Sequence, residues 1–151
     1  MKQTSSMNVS IVLLLILFSM IAACADTGTS PVDLEQLHKW ESLGTHDYVI
    51  QQQRQCFCVD GGRIVEVVIR ADTVFSITAV DTLLYPLQSS EYLSIAGLFD
   101  FIETSRMLRS ARVEVIYSEQ FGYPERVFVD YLPNVVDDEV AYVTSSFLPI
   151  R

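Results

Sequence analysis

The sequence predicts an α+β fold: one domain built on an antiparallel sheet with helices packed on one face. Three observations predict it. Two stretches carry apolar residues at helical spacing, and six shorter runs alternate apolar and polar residues with period two. The 151 residues also open with an apolar leader, and the remaining length is enough for one hydrophobic core and hardly for two. The elements read in the order helix, three strands, helix, three strands, which suggests a loose internal duplication of topology without repeated residues.

The first helix is "SPVDLEQLHKWESLG", residues 30–44. Ser30 can cap it with Asp33 three residues on, and Pro31 suits the first helical position. Leu34, Leu37, Trp40 and Leu43 form the expected core stripe, and Gly44 is a natural stop. In "HDYVIQQQRQCFC", Tyr48 and Ile50 alternate with more polar neighbours. "GGRIVEVVIRAD" opens at a turn and sets Val65, Val67 and Ile69 against Glu66 and Arg70. "TVFSITAV" offers Phe75, Ile77 and Ala79 against Ser76 and Thr78. Residues 81–92 read as an irregular connection.

The second helix is "SIAGLFDFIETSRMLRS", residues 94–110, with Ile95, Leu98, Phe99 and Ile102 on one stripe. "ARVEVIYSE", "ERVFVDYL" and "DEVAYVTSSFL" supply the last three strands, joined by "FGYP" and "PNVVDD". A polar face on most of the runs fits a sheet covered on one side only.

Location is read from the amino terminus. Ile11 to Ala23 is apolar apart from Ser19, a run shorter than the roughly 20 residues that span a bilayer, and so suited to a signal peptide. It ends in Ile21-Ala22-Ala23-Cys24, which resembles a bacterial lipobox. That resemblance implies a signal peptide over 1–23, cleavage after Ala23, and a diacylglycerol, with further acylation such as palmitate, on Cys24. An ordinary small-x-small cleavage site at Ala23-Cys24-Ala25 is the plainer reading. Residues 24–30 then form the lipidated cysteine and a short polar tether, and 31–151 the domain. Six tether residues reach at most about 20 Å. Ala25, not Asp, comes after the cysteine, which favours the outer membrane if the source is Gram-negative.

Charge excludes one class of partner. The formal net charge is −9, and loss of Lys2 with the leader deepens it by one unit. An acidic chain is repelled by phosphates, so nucleic acid is not a partner, and attachment to a membrane must come through the lipid at Cys24. An envelope protein partner is compatible with these features.

"YVIQQQRQCFC" (48–58), "GLFDFIE" (97–103), "VIYSEQFGYPERVFVDY" (115–131) and "DDEVAYV" (137–143) together resemble a family of small exported bacterial proteins catalogued as a domain of unknown function. The resemblance covers nearly all of residues 34–148. Its pattern falls on Arg54, Cys56, Cys58, Tyr117, Gly122, Tyr123, Pro124, Asp130, Asp138 and Glu139. Val59 stands where that family often has proline. The resemblance implies an envelope location and a fold, and it implies no activity.

The candidate sites are few. Residues two apart on a strand point to one face, so Arg54, Cys56 and Cys58 are expected to share a side. Three readings of the thiols stay open: a local disulfide first, free thiols packed as small apolar groups second, a thiol-reactive or metal role third. A disulfide needs β-carbons about 3.5–4.5 Å apart, closer than a regular strand gives, so it requires a bend. Arg54 on the same face would lower a thiol pKa. Zinc wants four ligands, and a C-x-C without a nearby histidine supplies two, so no metal site or cofactor is expected. His38 and His46 read as surface or capping residues. Asp137, Asp138 and Glu139 lack the spacing of a calcium loop. No catalytic motif occurs, so an enzyme is unsupported. The aromatic run "FGYPERVFVDY" is the candidate binding surface, through Tyr123, Phe128 and Asp130. The leading expectation is therefore an envelope lipoprotein with an acidic binding or accessory module. The alternative is a thiol-based redox or metal-handling protein centred on Cys56 and Cys58.

Overall fold

The computed structural model describes residues 30–59, 61–80, 87 and 89–150. The leader, Cys24 and the tether up to residue 29 lie outside the described residues. Helix α1 spans Pro31–Glu41, followed by strands β1 (Tyr48–Cys56), β2 (Ile64–Arg70) and β3 (Thr73–Ala79). A 3-10 turn at Ser89–Glu91 precedes helix α2 (Ile95–Met107), and β4 (Arg112–Tyr117), β5 (Pro124–Asp130) and β6 (Val140–Pro149) complete the chain.

The six strands make one antiparallel sheet in the order β3-β2-β1-β6-β5-β4, which with two helices is an α+β arrangement. The expected succession of helix, three strands, helix, three strands requires correction on two counts. A 3-10 helix stands between β3 and α2, within the segment read as irregular. The halves also do not repeat one topology, because β1, the first strand of its triplet, is central, while β4, the first of its own, is an edge. The halves meet where β1 pairs with β6, from Tyr48 opposite Pro149 to Cys56 opposite Val140.

Local chemistry explains the helices. The Ser30 side chain accepts from the Asp33 N–H and the Asp33 carboxylate accepts from the Ser30 N–H, which is a complete capping box at the start of α1. Steps of three residues drift around a helix, so the buried face of α1 runs through Asp33, Leu37 and Trp40. Leu34 and Leu43, expected in the core stripe, are exposed. Ser94 caps α2 by accepting from the Gly97 N–H, and Ile95, Leu98, Phe99 and Ile102 are all buried.

Both helices lie on one face of the sheet. Trp40 of α1 stacks edge-on against Tyr48 at 5.3 Å, and the Tyr48 hydroxyl accepts from the Ile95 N–H of α2 at 2.9 Å. Beneath them Tyr48, Ile50, Val65, Val67, Ile69, Val127 and Val129 are fully buried. One strand departs from expectation. The register between β2 and β3 shifts by a bulge between Val68 and Ile69, so Phe75 falls between paired positions and is 74% exposed. Val74 and Ile77 pack inward.

Gln52 is fully buried in the middle of β1. Its side-chain amide donates to the Leu93 carbonyl (3.1 Å) and accepts from the Leu93 N–H (2.9 Å), which fixes the approach to α2. Buried polar groups are tolerated when satisfied in this way. Among the described residues no helix is long and apolar enough to cross a membrane.

Candidate functional site

Register places three connections at one end of the sheet. Cys56 at the end of β1 faces Val140 at the start of β6, and Asp130 at the end of β5 faces Arg112 at the start of β4. The β1–β2 turn, the 131–139 connection and the 108–111 junction after α2 therefore share that end. Val80 joins them, since its N–H donates to the Ile64 carbonyl (3.1 Å).

The β1–β2 turn is built by close backbone approach. The Gly62 N–H donates to the Arg54 carbonyl (2.7 Å) and the Gly61 N–H to the Cys58 carbonyl (3.1 Å). A Cβ on Gly61 would lie 2.4 Å from the Cys56 carbonyl oxygen, so only glycine fits there. The bend brings the Cα atoms of Cys56 and Cys58 to 5.3 Å, with their sulfurs at disulfide distance. Cys56 is half-buried and Cys58 exposed. Phe57 between them is 84% exposed.

Arg54 shares the helix-covered face with Cys56, but Cys58 lies beyond the strand. The Arg54 guanidinium pairs with Glu91 of the 3-10 turn at 2.6 Å. Tyr142, opposite Arg54 on β6, donates its hydroxyl to the Glu91 carbonyl (3.1 Å) and packs edge-on against Phe101 of α2. Burial pushes the Tyr131 and Tyr142 phenols up, and the Arg54 charge works against that rise. Arg54 thus fastens the 3-10 turn to the sheet.

The three residues of the candidate aromatic surface do not come together. Tyr123 is buried in a cluster with Trp40, Phe121 and Phe147, at ring distances of 5.7 to 6.2 Å. Phe128 and Asp130 lie on the opposite, open face, where the Arg112 guanidinium sits 5.5 Å from the Phe128 ring centre. Sequence pattern did not single out the apolar residues at the disulfide end. Besides Phe57, exposed side chains there include Val59, Met107, Leu108 (71%), Leu132 and Val136 (80%). The signal was available: Phe57 and Val59 flank Cys58 in a turn where polar residues are the rule.

A second feature is an open cleft of about 760 Å³ at the other end of the sheet, bordered by Thr45, His46, Asp47, Ala71 and Asp72. His46 Nδ1 lies 2.6 Å from Asp72 Oδ2. Asp47 accepts from the Ala71 N–H (2.8 Å) and from Arg70 (3.1 Å), and its carboxyl is held below the usual range first by that amide and then by Arg70. These bonds tie the β2–β3 turn, where Ala71 and Asp72 take positive φ, to the start of β1. Asp138, from the acidic turn, accepts from the Leu132 N–H (2.8 Å) and closes its own loop. Among the described residues no group of three or more His, Cys, Asp or Glu is placed to hold a metal.

A family model described as "Family of unknown function (DUF6174)" matches residues 32–149. The chain belongs to this family. Its match takes in both helices but for the first residue of α1, the whole sheet and the disulfide turn. No curated protein and no solved structure matches the chain.

Proposed function

We propose that this chain is an exported cell-envelope lipoprotein, held to a membrane through acylated Cys24, whose acidic domain is a binding or accessory module. The observation that carries the reading is Phe57, 84% exposed on a turn whose flanking cysteines are paired. A large apolar side chain held in water on a pre-shaped loop suits a contact surface, because ordering costs are met before binding. A sulfur pair of this kind persists in oxidising compartments outside the cytoplasm, in keeping with the leader. Ala25 after the acylated cysteine directs the protein to the outer membrane in a Gram-negative cell.

Cys24→Ser tests the anchor. The variant is expected to lose acyl labelling and to leave the membrane fraction, whereas continued labelling would rule out Cys24 as the site.

A second reading, thiol-based redox or metal handling by Cys56 and Cys58, draws support from the exposure of Cys58, which a redox partner can reach. Replacing both cysteines with serine separates the two. If the envelope phenotype survives and only stability falls, the thiols are structural. If function vanishes while the domain stays folded, the thiol reading replaces the binding module.

A further inference from the structure

The sulfur pair joins nothing that the β1–β2 turn does not already hold. The Gly62 N–H donates to the Arg54 carbonyl and the Gln53 side-chain amide to the Gly62 carbonyl, both at 2.7 Å, and the Gly61 N–H to the Cys58 carbonyl at 3.1 Å. Directly behind that turn β1 and β2 are paired, up to Gln53 opposite Ile64. A cross-link with one residue between its cysteines removes little freedom from the unfolded chain, because in the loop-entropy account the gain grows with the length of the loop closed. The two sulfurs are also unequally placed. Cys56 is half-buried against the core, with its backbone paired to Val140, whereas Cys58 is exposed beyond the strand. Exposed disulfides are the ones open to exchange with an external thiolate.

We propose that Cys58 Sγ is the attacked atom of a thiol–disulfide exchange site, and that its substrate is a polypeptide dithiol with apolar residues around the reacting cysteine. The inference rests on the thiol reading above, and it names the substrate class and the order of bond changes. The partner thiolate attacks Cys58 Sγ, the Cys56–Cys58 bond breaks, and Cys56 leaves as a thiolate that takes a proton from water. A second thiolate of the partner attacks the partner sulfur now bound to Cys58 and releases Cys58, which is protonated in turn. The partner ends with a disulfide and the pair as two thiols, so two electrons and two protons have passed to the pair. None of the hydrogen bonds of the turn uses a sulfur atom, so the reduced cysteines stay placed for the reverse exchange with another disulfide. Phe57 and Val59, both exposed, stand on either side of Cys58 in the chain and offer apolar contact to residues flanking the incoming sulfur. Glutathione carries a net negative charge and is repelled by a chain of net charge −9, which favours a polypeptide as the source of the thiolate.

The test uses the chain from residue 24 onward with Cys24→Ser, which keeps every described residue and leaves only the two sulfurs of the turn. The oxidised protein is mixed with a leucine-flanked peptide carrying one cysteine, or with reduced glutathione, and exchange is stopped with N-ethylmaleimide. Mass mapping is expected to find the peptide on Cys58 and the maleimide on Cys56, and the reverse placement, or equal amounts on both, overturns the order of attack. Per thiolate, the peptide is expected to react about tenfold faster than glutathione, the ratio that one modest apolar contact supplies. Equal rates would overturn the polypeptide as substrate. A second peptide with two cysteines should be converted to its disulfide as an equal amount of the protein is reduced. Circular dichroism before and after reduction should superimpose, since the turn keeps its hydrogen bonds. A pair that reacts only in urea, or a domain that unfolds on reduction, would make the disulfide a structural clip and overturn the proposal. Survival of the envelope phenotype in the double-serine variant is a separate result: it would count against the thiol reading in cells and leave the mapped order of attack standing.

Discussion

Asp33 carries more of the fold than its place in a capping box suggests. It is 3% exposed, accepts from the Ser30 N–H, pairs with Arg106 and accepts the Tyr117 hydroxyl. The capping role is legible in four consecutive residues. The ion pair is not, because Arg106 lies 73 residues away and only the packing of α1 on α2 joins them. Asp33→Ala leaves a half-buried guanidinium and a phenol without their acceptor and is expected to cost about 3 kcal/mol in urea unfolding. A loss below about 1 kcal/mol would mean that water serves Arg106 equally well. The tyrosines give a pH signature. Burial pushes Tyr117 up to about 12 from its ordinary 10.0, with Arg106 opposing, and burial raises Tyr48, Tyr123, Tyr131 and Tyr142 as well. The folded state holds these protons more tightly than the unfolded chain. Their contribution to stability is therefore fully present below pH 10, and it is lost as pH rises from 10 through 12. Unfolding followed across that range by tyrosinate absorbance should show phenols that ionise together with loss of structure. Free titration in a folded protein would contradict it.

At the scale of elements, contact between α1 and the β4–β5 turn depends on one glycine. Gly122 has φ +81°, and a Cβ there would lie 2.7 Å from the Gln36 carbonyl oxygen and 3.0 Å from the Lys39 Cβ. The Lys39 ammonium donates to the Glu119 carbonyl across the same contact. Gly122→Ala should thus cost about 3 kcal/mol, combining left-handed strain with displacement of the helix. Gly44 is a control, because its φ is +59° but nothing lies within 4 Å of its Cβ position. Gly44→Ala should cost only about 1 kcal/mol, and equal losses for the two variants, read from urea midpoints, would remove the close approach as the cause. The glycine in "FGYP" reads as a turn from sequence, yet the helix lying against it does not. The strands show the same division. Val65, Val67 and Ile69 are legible because alternation alone assigns them to the core, whereas Phe75 is displaced by a bulge that alternation cannot register. Tyr123 and Phe128 stand in one aromatic run but on opposite faces, a separation that composition does not encode.

For the whole molecule, the sheet order decides how the chain responds to unfolding. Helix and strand identities come from local pattern. The pairing of β1 with β6 does not, since it joins residues from Cys56 and Val140 to Tyr48 and Pro149, over half the chain length apart, and an apparent duplication along the sequence becomes two triplets placed back to back. That seam runs from Tyr48 opposite Pro149 to Cys56 opposite Val140, and both its strands contribute buried side chains to the core. The helices cross it as well: α1 from the first half packs against α2 and the β4–β5 turn of the second. Neither triplet can keep its apolar face dry without the other, so the halves are expected to unfold together in a single transition. Trp40 reports on the seam through its contacts with Tyr48 of β1 and Phe147 of β6, and far-ultraviolet circular dichroism reports on all strands. Urea curves from the two signals should superimpose. Should Trp40 change first, at a lower urea concentration, the seam would be weaker than either triplet, and the chain would be two folding units sharing one sheet.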